Sequence, residues 1–189
     1  MEKLINFLKK WASGKVLLGL LVVTMIVYLT MLLYSIPAVE SFAPGKVLFD
    51  LSPTGYSYDT AISLLEALGP EGRAVYLRLQ LPIDFIYPGL FAITYSLLLT
   101  LVFGKAYTPK SKMFYLAPIP FFGGLFDYLE NISIIQMIKL YPNVSDELVR
   151  VSSSFTVLKS GITTIFFILL FAGLFQILRK RLTFGSSQR

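Results

Sequence analysis

No charged residue stands between Lys15 and Glu40, and residues 16–36 are almost wholly apolar. A bilayer core of ~30 Å is crossed by about twenty helical residues, so this run is long enough to span one. Its length also argues against a cleaved signal peptide. The basic start and a later Ser41-Phe42-Ala43 resemble one, but the apolar part of such leaders is ~7–15 residues. Three further runs follow at about 81–103, 113–137 and 155–178. At 55% hydrophobic, 15% charged and mean hydropathy +0.69, the composition lies outside the range of soluble domains. We therefore read the chain as an all-α integral membrane protein with four transmembrane helices in one bundle spanning 16–181.

The connections set the orientation. The amino terminus, the 104–112 loop and the carboxyl terminus are basic, whereas 37–80 and 141–152 carry more acidic than basic residues. The positive-inside rule then places both termini in the cytoplasm, in a multi-pass protein of the cell membrane. The net charge of +6 is explained by these flanks and gives no reason to expect nucleic acid. Residues 1–15 read as a basic amphipathic segment on an anionic leaflet, with Leu4, Ile5, Leu8 and Trp11 at helical spacing. Residues 182–189 read as a polar tail. The 37–80 connection is too apolar at Val47, Leu48, Phe49 and Leu51 for a free loop. It is expected to fold back as a partly helical extracytoplasmic cap. One helix should start at Tyr58 and stop at Gly69, with another starting at Pro70. Ser145 is a plausible helix N-cap, with Asp146 and Glu147 in the first turn.

The chain has no cysteine and no histidine. Disulfides and thiol chemistry are excluded, and zinc loses its usual ligands. A hard cation such as Mg or Ca could be held only through oxygen. No cofactor or metal site is expected, and no phosphate loop or nucleophile motif is present.

The third run holds the unusual chemistry. Asp127, Glu130 and Asn131 interrupt it at i,i+3 and i,i+4, so they share a helix face. An ionised carboxylate in a span costs roughly 2.5–3.5 kcal/mol on insertion scales, so two on one face need partners, water or a function. Counting about twenty residues at ~1.5 Å each from every cytoplasmic end brings Asp84, Glu130 and Lys159 to one level. Asp127 lies about one turn deeper. These residues, with Asn131, form the candidate ligand-binding set: Asp84, Asp127, Glu130, Asn131 and Lys159. Tyr87 and Tyr95 are candidate hydrogen-bond donors. Three carboxylates face one lysine, so either Arg73, Arg78 or Lys139 reaches in, or a ligand cation or a proton supplies the balance.

The layout of four spans, a long first loop and acidic residues at a vestibule resembles the sigma-2 receptor and sterol-isomerase group. Phe49-Asp50-Leu51 and Leu81-Pro82 are similar in flavour to that group. The resemblance is one of layout and assigns no site residue. The leading expectation is a vestibule that binds a cation or an amphiphilic, lipid-like ligand. Two alternatives stand beside it: a lipid-modifying enzyme using carboxylate acid–base chemistry, and a structural subunit whose charges specify helix pairing, with a homo-oligomer or another membrane protein as partner. Asn143-Val144-Ser145 matches a glycosylation acceptor.

Overall fold

The computed structural model describes residues 1–186, and among these the regular structure is all helical, with no strand. Three helical stretches are long and apolar enough to cross a membrane: Gly14–Glu40, Tyr58–Ala106 and Asp146–Leu182.

Helix α1 (Glu2–Trp11) precedes α2 (Gly14–Glu40), and the Ser13 side chain caps α2 by accepting from the Val16 amide. The first apolar run was expected to end at residue 36. Instead the helix continues through Pro37 to Glu40, with a wide π-turn over Met31–Ser35. Proline has no amide hydrogen and crowds the preceding turn, and a π-turn just before it loosens that turn. Helix α3 (Tyr58–Val75) is capped by Ser57 and interrupted at Gly69, whose φ of 60° and ψ of −179° are not helical. Glycine tolerates that conformation, and Pro70 restarts the helix as expected. A second π-turn, Tyr76–Gln80, and a short helix, Leu81–Asp84, lead into α4 (Tyr87–Ala106).

The third run departs most from expectation. Its first residues form a 3₁₀ turn, Lys112–Leu116, and α5 covers Ile119–Leu140. Pro118 and Pro120 explain the late start, because each suits a first turn and neither suits a helix interior. Helix α6 (Asp146–Ser186) begins where the Ser145 cap was expected, runs unbroken into the apolar span read at 155–178 and absorbs the first residues of the supposed polar tail. Residues 187–189 lie outside the described residues. Ser145 caps α6 by accepting from the Leu148 amide.

Helix α4 sits centrally, packed on α2, α5 and α6, and α5 and α6 pack most extensively on each other. Gly124 allows the α4–α5 approach: a Cβ there would lie 2.6 Å from the Pro88 carbonyl oxygen. Two apolar cores result. One joins the cap to α3 and the last half of α5, around Phe49, Leu65, Tyr76 and Ile134. The other lies at the opposite end, around Leu8, Leu99, Phe103, Phe114 and Phe166. Ile5 and Leu8 are buried in that second core, so the main apolar face of α1 packs on protein rather than on lipid.

Candidate functional site

Between the two cores lies a cavity of about 390 Å³. Its walls come from α2, the cap turn Phe49–Leu51, the segment 80–91, α5 and α6. Tyr28 of α2 and Thr164 of α6 both line it and are both exposed, so it opens sideways between those helices. Met31, Ile36, Leu51 and Phe91 make much of the wall apolar.

Lys159 is the centre of charge. Its ammonium donates to Asp127 Oδ1 at 3.2 Å and also contacts Glu130 Oε2. Glu130 is fully buried, and its other oxygen accepts from the Thr156 hydroxyl at 2.6 Å. Asp127 and Glu130 are three residues apart on α5, as are Thr156 and Lys159 on α6. The one-turn spacing on each helix lets two pairs meet face to face. The predicted convergence of Asp127, Glu130 and Lys159 is therefore present, and Lys159 is shared by two carboxylates.

Asp84 is 2% exposed and lines the same cavity, at the end of the short Leu81–Asp84 helix. Its Oδ2 has no hydrogen-bond partner among the described residues. The break between Asp84 and Tyr87 lies between Pro82 and Pro88, each in the first turn of its helix, and Asp84 at the break lines the cavity.

Asn131 does not join the cavity. It is completely buried, and neither its amide oxygen nor its amide nitrogen has a partner among the described residues. At about 100° per residue, a polar stripe on one helix face divides between two neighbours. Glu130 turns toward Thr156 and Lys159 of α6, and Gly123 faces both Ile162 of α6 and Phe91 of α4. Gly124 turns toward Pro88 and Ala92 of α4, and Asn131 lies two turns further along that side. Tyr87 lines the cavity, whereas the Tyr95 ring packs between Phe91 and Phe166. None of the three expected cations reaches in. Arg73 donates to the Leu65 carbonyl and stacks on Tyr141, and Arg78 and Lys139 are exposed.

The cap contributes a residue absent from the candidate set. Asp50 lines the cavity and accepts from the Tyr76 hydroxyl at 3.1 Å through Oδ2, with the Gln80 amide beside the same carboxyl. Burial pushes the Asp50 carboxyl above the usual aspartate range, against the opposing pull of the Lys159 ammonium and the Tyr76 hydroxyl. An aspartate inside the apolar run 47–51 was the available signal. Gln80 completes this wall. Its amide oxygen accepts from Ser35, and its amide stands beside the Asp50 carboxyl, which it helps to stabilise.

Four carboxyl groups thus surround one ammonium. Among the described residues no group of three or more His, Cys, Asp or Glu is placed to hold one metal ion. Comparison with protein-family models, with curated proteins and with solved structures returns no match.

Proposed function

We propose that the cavity binds the positively charged head of an amphiphilic ligand, in a four-span protein of the cell membrane with α5 as the third span and both termini in the cytoplasm. The observation that carries this reading is the uneven charge at an apolar, sideways-open cavity: Asp50, Asp84 and Asp127 line it with Lys159, and the buried Glu130, outside the lining, also engages that lysine. Lys159 is already engaged by Asp127 and Glu130. Asp84 keeps a buried oxygen with no hydrogen-bond partner among the described residues and, with Asp50 on the same wall, becomes the group that meets the ligand cation. The Gln80 amide supplies a neutral donor beside them. The apolar wall receives the start of the ligand's chain, and the opening between α2 and α6 lets the rest lie in the bilayer. With α5 as a span, the positive-inside rule favours a cytoplasmic position for the lysine-rich segments 1–15 and 104–112 and for residues 179–181, and this supports a cavity in the outer half.

The test is a thermal-stability titration of the protein in neutral detergent. Dodecyltrimethylammonium is compared with an uncharged analogue in which tert-butyl replaces the ammonium head. A ligand at a hundredfold over its Kd stabilises by about 2.7 kcal/mol. The cationic compound is expected to stabilise, the neutral one not, and Asp84→Asn should remove the difference. Equal effects of both compounds would refute the proposal. A second reading, that the charges only fasten helices, rests on the double engagement of Lys159. It predicts that Asp84→Asn changes no ligand response. Chemical turnover of a stabilising amphiphile would move the protein to the enzyme class.

A further inference from the structure

The opposite end of the molecule holds a second site. Lys3, Lys9, Lys10 and Lys15, then Lys105, Lys110 and Lys112, then Arg179, Lys180 and Arg181 gather there, with Glu2 as the one acid among the described residues of these segments. Docking of α1 through Ile5 and Leu8 creates a groove of about 300 Å³ against the end of α4. Lys9 and Lys105 stand on its rim. Between them the lining is Ala12, Thr100, Leu101 and Gly104, closed by Pro109 and Phe114.

The groove has the polarity of a lipid. Thr100 directs its hydroxyl to the Ser96 carbonyl at 2.7 Å, and a Cβ on Gly104 would meet nothing within 4 Å, so the wall along α4 is apolar and open. Lys9 is fixed rather than waving in solvent: it donates to the Pro109 carbonyl at 3.0 Å and lies 3.9 Å from the centre of the Phe114 ring. An ammonium has three donors, so one remains beyond the carbonyl and the ring. Lys105 is exposed and forms no ion pair with a described residue. We propose that this groove holds one anionic phospholipid, its phosphate between Lys9 and Lys105 and its chain along Leu101 and Gly104. A zwitterionic lipid also carries a phosphate, but its choline would face the surrounding lysines. The site is independent of the acidic cavity, and neither proposal needs the other.

Trp11 is the sole tryptophan of the chain and adjoins Ala12 in the groove wall. It is 47% exposed and ring-paired with Phe7, which makes it a reporter already in place. The full chain is placed in phosphatidylcholine nanodiscs. Phosphatidylglycerol brominated on its acyl chains is mixed in, and brominated phosphatidylcholine serves as the control. Quenching of Trp11 is read against the mole fraction of brominated lipid. A lysine near an anionic headgroup contributes roughly five-fold in affinity, so half-quenching by the glycerol lipid is expected at a clearly lower fraction. Lys105→Gln should remove roughly five-fold of that preference, and raising salt to 1 M should erase it. Lys105 is exposed, so this variant keeps its fold, which an unchanged melting curve verifies. The comparison that decides is Lys3→Gln with Lys10→Gln, which removes charge outside the groove and should leave the preference intact. Equal quenching by both lipids overturns the proposal. So does a loss in the Lys3/Lys10 variant as large as in Lys105→Gln, which would mean diffuse attraction to an anionic surface.

Discussion

Replacing Lys159 by methionine keeps most of the side-chain volume and removes the charge that two carboxylates share. Glu130 is then fully buried with a hydroxyl as its remaining partner, and Asp127, 6% exposed, loses its donor. Removing one partner of a buried ion pair costs about 3–5 kcal/mol, because the survivor stays buried and unbalanced. For a chain of this size each kcal/mol corresponds to roughly 2–4 °C, so the melting midpoint should fall by about 6–20 °C. Circular dichroism at 222 nm in detergent measures it. Asp127→Asn and Glu130→Gln added to Lys159→Met should recover most of the loss, since no orphan charge then remains. The three residues form one network, so the effects will not add, and the cycle isolates the coupling. A midpoint for Lys159→Met within 2–3 °C of wild type, on the same roughly 2–4 °C scale, would refute the reasoning. It would mean that water or a relocated cation compensates both carboxylates.

Four further variants can be checked with the same assay. Gly124→Ala should destabilise by about 1–3 kcal/mol, since its Cβ meets the Pro88 carbonyl oxygen, a backbone atom that cannot swing away. Gly161→Ala, where a Cβ meets nothing within 4 Å, should instead gain about 0.5–1 kcal/mol from helix propensity; equal effects would argue against close α4–α5 packing. Asn131→Leu is expected to raise the midpoint, because two unpartnered buried amide atoms are replaced by an apolar group of similar shape, and a drop would show that the amide has partners. Asp50 carries a raised carboxyl pKa, so between the unfolded value near 3.8 and its folded value the native state binds the extra proton. Its contribution to stability is then full at low pH and lost as pH rises through that window, and Asp50→Asn should flatten this slope. A slope unchanged in Asp50→Asn would remove Asp50 as its source.

The legible part of the fold was the part governed by local rules. The uncharged run after Lys15, the Gly69-Pro70 break and the Ser145 cap each follow from chemistry within a few residues. The pairing of Asp127 and Glu130 with Lys159 was readable for a related reason: a charge in an apolar helix demands a partner, and rise per residue sets its depth. Element ends were less legible. A π-turn can carry a helix through Pro37, and the apolar run from Met113 does not reveal that Pro118 and Pro120 delay α5.

What the sequence by itself determined is that the chain is helical, has stretches suited to a bilayer, and sets charges in one of its apolar runs. Tertiary structure decided which charges share a space. Asp50 lies in a connection, and only the folding of the cap over the bundle brings it beside Asp84. Asn131 lies on the predicted face, yet it is buried outside the cavity, while Glu130 beside it meets Thr156 and Lys159 of α6. Lys9 and Lys105 are far apart in the chain and meet at one groove because α1 folds back onto α4. Periodicity along one helix fixes directions relative to that helix, and only packing fixes what each direction meets.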